Sequence, residues 1–242
     1  MIVLGLETSG DTASLALCQG GRLLAGRAFP SRMNLCRDLA GEIKAVLDFL
    51  PDGEALGGIA VSLGPGSFTS LRIGVVTAKA MAHQMEIPLV GVPTPVALAA
   101  PLTHHEARTI CAVQPGWKTA VYLTLIPPGD ADSAERMTTP EAVQLDEIAD
   151  RVAAVEGDLL LVGGPVEERR DELAEALGER AITAPRALAD PSALYVVEAA
   201  MARLATADVR GAFEVTPLYV VPSQAERVAG IDLGLTGVEP SP

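Results

Sequence analysis

Apolar positions along the chain fall into short runs broken by turn residues, alternating with stripes at helical spacing. Ile2–Glu7 is an apolar run with a polar end, as in a buried strand. Residues 12–18 alternate polar and apolar, Gly20-Gly21 supplies turn chemistry, and 22–29 resumes a strand. This predicts one strand followed by a hairpin. Asn34 is placed to cap a helix over 34–50, whose apolar positions Leu35, Leu39, Ile43, Val46, Leu47 and Leu50 form one stripe. Pro51-Asp52-Gly53 ends it. Residues 58–63 form a second buried-strand candidate, running into Gly64-Pro65-Gly66-Ser67. A long helix over 70–85 follows, with Val75, Ala78, Ala82 and Met85 on one side and small residues around it, a pattern suited to packing on more than one face. A short strand at 88–92 and a short helix at 94–100 complete the first half.

The second half repeats the order more faintly. Residues 109–113, 120–126 and 135–138 read as strands, 145–152 as a helix, 159–162 as a strand, 166–177 as a helix, 180–183 as a strand and 192–205 as a helix. Element order repeats although residues do not. The prediction is therefore an α/β protein of two like units joined near Pro101. The first spans 1–102 and the second 103–230, with a mobile Gly/Pro-rich tail at 231–242. Three leading antiparallel strands followed by βα crossovers are the order of actin-like (ribonuclease-H-like) subdomains, each a mixed sheet flanked by helices.

Of the 242 residues, 49% are hydrophobic and 20% charged, which excludes a disordered chain. No apolar run approaches the ~20 residues that a bilayer requires, and the N-terminus lacks the basic start of a secretory signal. Residues 1–100 hold seven basic and eight acidic side chains; 130–180 hold five and fifteen. Neither half has the Lys/Arg surplus that neutralises phosphates, so autonomous nucleic-acid binding is not expected. The acidic segment reads as a solvated surface or as a face for a basic partner. Cys18, Cys36 and Cys111 are scattered, as suits reduced cytoplasmic thiols. His104-His105 are adjacent, unlike the i,i+4 spacing of zinc ligands on a helix, and no metal site is expected.

Two loops carry candidate chemistry. Gly64, Gly66 and Ser67, between a strand and a helix, could cradle an anion or phosphate, although no Lys follows as in a Walker A loop. They could equally make a tight, rigid connection with Ser67, Thr69 or Ser70 capping the helix. In the segment Glu7-Thr8-Ser9-Gly10-Asp11, Glu7 and Asp11 could orient a metal–nucleotide, or Thr8, Ser9 and Asp11 could simply satisfy turn amides. Arg72 and Lys79 share a helix face that is either solvated or in contact with a partner. No Gly-x-Ser-x-Gly elbow is present, and no constellation demands catalysis.

Residues 2–17, and above all 64–74 (Gly-Pro-Gly-Ser-Phe-Thr-Ser-Leu-Arg-Ile-Gly) continuing through Thr77-Ala78-Lys79 to Ile87-Pro88-Leu89-Val90-Gly91-Val92, resemble the TsaB (also called YeaZ) family. The resemblance is dense over 1–100 and thins afterwards. It implies a bacterial, cytoplasmic, non-catalytic partner that activates its paralogue TsaD in forming threonylcarbamoyladenosine next to the tRNA anticodon. TsaD would hold ATP and a metal, the ATPase TsaE would join them, and TsaC would supply the threonylcarbamoyl-adenylate. No cofactor would be required by this chain, no membrane would be involved, and tRNA would be met only by the assembled complex. Pairing in the family runs through the first two helices, which here offers Leu35, Leu39, Ile43, Leu71, Arg72, Val75, Ala78, Lys79 and Ala82 as the interface. Homodimerisation through the same helices is expected when the chain is alone. Asp introduced at Leu39 or Ala78 would then break the complex while leaving the monomer folded. The loops at Glu7–Asp11 and Gly64–Ser67 would be a vestigial nucleotide or phosphate site.

The sequence departs from its relatives at several positions. TsaD carries a His-x-x-x-His pair on its first helix, whereas 34–50 contains no histidine. Glu7 stands where TsaB more often has Asp. Gln114-Pro115-Gly116-Trp117 replaces the Asp-Ala-Arg common in TsaB, and Tyr219-Val220-Val221 lacks the Arg of its Tyr-Leu-Arg. The rival reading is an actin-like ATPase or small-molecule kinase built on Glu7, Asp11 and the 64–67 loop. A glycoprotease reading predicts hydrolysis for which the residue inventory offers no means.

Overall fold

The computed structural model describes residues 1–31, 33–102, 108–116, 118–129 and 133–221. The tail at 231–242 and the His104-His105 pair lie outside the described residues. Among the described residues, ten strands form two five-stranded mixed sheets of the same topology. The first has the order β3-β2-β1-β4-β5, from β1 (Ile2–Glu7), β2 (Thr12–Gln19), β3 (Arg22–Pro30), β4 (Leu56–Gly64) and β5 (Leu89–Pro93). The second has the order β8-β7-β6-β9-β10, from β6 (Thr109–Pro115), β7 (Ala120–Ile126), β8 (Glu141–Gln144), β9 (Leu159–Val162) and β10 (Ala181–Thr183). In each, a central strand pairs antiparallel with a hairpin strand on one side and parallel with a crossover strand on the other.

Alternation along the strands sends two sets of side chains to opposite faces. Leu4, Leu6, Leu15, Leu17, Ile59, Val61 and Leu63 face α1 (Leu35–Leu47) and α2 (Phe68–Met85). Val3, Ala16, Ala60, Val90 and Val92 face the opposite way, toward the short α3 (Thr94–Ala99). Burial of α3 is complete along its length, because its far side meets Ile110 and Ala112 of the second sheet through Leu98 and Ala99. It is the wedge between the two sheets.

The second unit is completed by α4 (Ser133–Arg136), α5 (Ile148–Val152), α6 (Gly164–Glu168) and α7 (Arg170–Leu177). Ile148, Val152, Val166 and Leu173 cover the outer face of its sheet. The expected strand at 135–138 is instead the helical turn α4, and the edge strand lies at Glu141–Gln144. The expected helix at 166–177 is broken at Arg169, whose φ of −124° leaves the helical range.

One element crosses the expected division of the chain. Helix α8 (Ala193–Leu204), assigned by sequence to the second unit, covers the first sheet. The reason is steric and apolar together. Val196, Val197, Ala200 and Leu204 bury the Val3/Ala60/Val90 face, and Gly5 has no Cβ to collide with Ala193 O, which would stand 2.5 Å away. Ser192 caps this helix, its Oγ accepting from Leu194 N. Asn34 makes no such bond at the start of α1, contrary to expectation.

Candidate functional site

The two candidate loops meet at the carboxyl ends of β1 and β4, where open α/β sheets place ligands. Glu7 ends β1 fully buried. Its Oε1 accepts from Ser9 N at 2.5 Å, while Oε2 has no partner. Burial pushes the Glu7 carboxyl above its ordinary range, against the bonds from Ser9 and Ser62 that favour its charged form. Thr8 N donates to Ser62 Oγ at 3.1 Å, and Thr8 Oγ1 is buried without a partner. That hydroxyl lies against Gly74 of α2, where any Cβ would stand 2.2 Å from it.

The Gly64–Ser67 loop is clamped from three sides. Gly64 N donates to Thr94 Oγ1 at 3.1 Å. The peptide Gly64-Pro65 is cis, and Pro65 O accepts from Gln114 Nε2 of the second unit at 2.8 Å. Ser67 N donates to Ser9 O at 2.7 Å, and Gly66 packs so closely on Ser9 that a Cβ would lie 2.3 Å from that carbonyl. Ser67 Oγ reaches Ser70 Oγ at 3.0 Å rather than a helix amide.

This geometry corrects the reading of the two loops as an open cradle. A backbone carbonyl already occupies the Ser67 amide at the head of α2, and Glu7 and Thr8 lie beneath the surface. Asp11 and Ser67 are exposed and Gly66 is partly so. The arrangement is a close-packed connection from β4 to α2, tied to the second unit through Gln114. Ser62 and Thr94, which were not singled out from sequence, hold it together with Gln114, noted there only as part of a departure from TsaB. The signal available was a polar residue inside an apolar strand, as at Ser62 within Leu56–Gly64.

The candidate pairing residues also require correction. Leu35, Leu39, Ile43, Leu71, Val75, Ala78 and Ala82 are all buried in the chain's own core. The stripe that looked suited to a partner faces the sheet, since both destinations demand the same spacing. Arg72 and Lys79 do reach the surface of α2, but they contact the segment 209–219. Lys79 Nζ donates to Phe213 O and Val215 O, each at 2.8 Å. Arg72 Nε donates to Tyr219 Oη at 2.8 Å, with its guanidinium 3.9 Å above the Phe68 ring. The exposed side chains of α2 are Thr69, Arg72, Val76, Ala80, His83, Gln84 and Met85, with Ile73 and Thr77 half-buried beside them. The strip Thr69, Ile73, Val76 and Ala80 is uncharged, with Arg72 and His83 exposed along one edge of it, and Val76 is 63% exposed.

Among the described residues no three His, Cys, Asp or Glu side chains converge as a metal site would require, and no helix is long and apolar enough to cross a membrane.

The family model for TsaD, tRNA N6-adenosine threonylcarbamoyltransferase, matches residues 51–227. The chain belongs to the family of TsaD and TsaB (YeaZ). A TsaD-family transferase of Anoxybacillus flavithermus is 36% identical over 131 residues, 47% of this chain and 35% of the relative. The tRNA threonylcarbamoyladenosine biosynthesis protein TsaB of Bacillus subtilis is 32% identical over 117 residues, 44% of this chain and 47% of the relative. The matched stretch thus spans about a third of the curated TsaD-family transferases and about half of TsaB. In structure, YeaZ from Pseudomonas aeruginosa superposes with a TM-score of 0.68 at 21% identity, covering 90% of this chain and 99% of that one. The fold is the actin-like one, two subdomains each built on a mixed sheet flanked by helices.

Proposed function

We propose that the chain is a non-catalytic partner of a TsaD-type transferase in the formation of threonylcarbamoyladenosine in tRNA. The observation that carries the reading is the outward strip of α2 through Val76 and Ala80, which is built of small and apolar residues, bears no acidic side chain, has Arg72 and His83 only along one edge, and is unlike the charge-dotted exterior of α1. Charged residues are depleted at interface centres, so such a face suits contact with another protein. Family membership supports the pathway. The absence of a His-x-x-x-His pair on α1 separates the chain from TsaD itself.

In this reading ATP and the metal belong to the transferase, TsaE completes the assembly, and tRNA meets the complex rather than the acidic half of this chain. A cytoplasmic setting and self-pairing of the isolated chain through α1 and α2 are parts of the same reading. The kinase alternative would need Glu7 and the 64–67 loop to open toward solvent, and no observation favours that.

Sedimentation velocity of the chain mixed with the TsaD of the same cell tests the reading. A complex that Val76→Asp abolishes, with the variant still folded, is the expected result. Failure of the wild-type chain to associate would remove the proposal.

A further inference from the structure

Residues 209–219 cross α2 as a strap. Ala212, Val215 and Leu218 sink into the first core, and Leu218 N donates to Leu63 O at 2.8 Å. Phe213 stays 61% exposed with its ring edge-on to His83, at 5.1 Å between centroids. The strap's polar anchors are the two permanent cations of α2. A lysine donates to two main-chain carbonyls, and an arginine stacked on Phe68 donates through Nε to Tyr219.

These two cations flank the outward face. Arg72 precedes Val76 by four residues and Lys79 follows it by three, so on a helix both are its immediate neighbours. Released, they would stand beside Val76 and Ala80 and would have to be stripped of water by any apolar partner, at considerable cost. Held, Lys79 is turned onto the strap's carbonyls and Arg72 onto Phe68 and Tyr219, away from the centre of the strip.

We propose that the strap 209–219 is a positioning element for the α2 pairing face, with Arg72 and Lys79 acting inward as its anchors rather than as partner contacts. The consequence for pairing rests on the function proposed above; the anchoring itself does not. The strap is an organiser and not a plug, because its apolar residues belong to the core and cannot leave it without unfolding part of the first sheet's cover.

The test uses the full chain carrying Lys79→Met, which keeps the stem and removes the ammonium. Amide hydrogen exchange at 213–219 should accelerate about tenfold or more, with β1 and β4 unchanged. Lys79→Arg, still able to reach the carbonyls, should restore slow exchange. Affinity for purified TsaD should fall about fivefold or more for Lys79→Met at both ~0.05 M and ~0.5 M salt, since a loss acting through an apolar face is not screened. Unchanged exchange at 213–219 would overturn the anchoring. Unchanged affinity would overturn the strap's role in pairing, and an affinity loss that disappears at high salt would overturn the inward role and make Lys79 a direct charge contact. A wild-type chain that binds no TsaD would overturn the pairing reading alone, and the exchange result would still decide the strap.

Discussion

The Ser67 amide at the head of α2 donates to the Ser9 carbonyl at 2.7 Å. The loop that follows β1 therefore occupies the amide that precedes α2, one of the N–H groups at a helix start that could otherwise meet an anion. Because Ser9 N in turn donates to Glu7, one short polar chain ties the end of β1 to the start of α2.

Glu7 supplies a pH dependence with a definite sign. Its folded pKa is raised by burial, so the folded state favours the protonated acid. The contribution to stability is present below the ordinary carboxylate range and is lost as pH rises from there through the raised value. Glu7→Gln, which keeps the shape without the charge, should match the wild type at low pH. The variant should then gain on it as pH rises, by about 1.4 kcal/mol for each unit of raised pKa. Denaturant melts across pH read the gap; a gap that narrows with rising pH would contradict the assignment.

Gly74 and Thr8 meet so closely that a side chain on the first displaces the second. Gly74→Ala should cost about 1–3 kcal/mol through overpacking. Thr8→Ala removes the opposing hydroxyl, so the double variant should recover part of that loss, read as a coupling energy in a double-mutant cycle. Additive losses would show that the two do not touch.

The three cysteines should differ sharply toward a thiol reagent. Cys36 is exposed, whereas Cys18 and Cys111 are buried, and burial pushes the Cys111 thiol up to about 12. One thiol per native chain should react quickly and the other two only after denaturation. Fast reaction of Cys111 in the native protein would contradict its place under the second sheet.

Asp at Leu39 or Ala78 should unfold the chain rather than loosen a complex, since these side chains are 2% and 0% exposed. A buried, unpaired carboxylate costs several kcal/mol and neither site has a partner cation in the core. Circular dichroism of the purified variants distinguishes the outcomes; a folded Ala78→Asp monomer would contradict the packing of α2 on its sheet.

Much of this architecture was legible in the chain. The leading apolar runs, the Gly20-Gly21 turn and the repeated order of elements gave two like sheets, because strand alternation and turn chemistry are local signals. The edge strand Glu141–Gln144 was not legible, since only Val143 on it is buried and its other side chains are polar or small. Nor could periodicity say which body a stripe faces: Leu39 and Ala78 carry the same pattern whether a sheet or a partner covers them. The strap was hidden for another reason. Its contacts with Arg72 and Lys79 join residues more than 130 positions apart, through backbone carbonyls and one Tyr219 hydroxyl. Such bonds leave no pattern in either segment. The loops at Glu7 and Gly64 were found by sequence, but their closure depends on Ser9 meeting Ser67 in space.

The central claim is that this chain serves a transferase rather than catalysing alone. The initial rate of threonylcarbamoyladenosine formation on tRNA, by TsaD and TsaE supplied with threonylcarbamoyl-adenylate, tests it most directly. The expected rate depends on adding this chain and is lost with Val76→Asp; a TsaD that works at full rate without it would contradict a partner role.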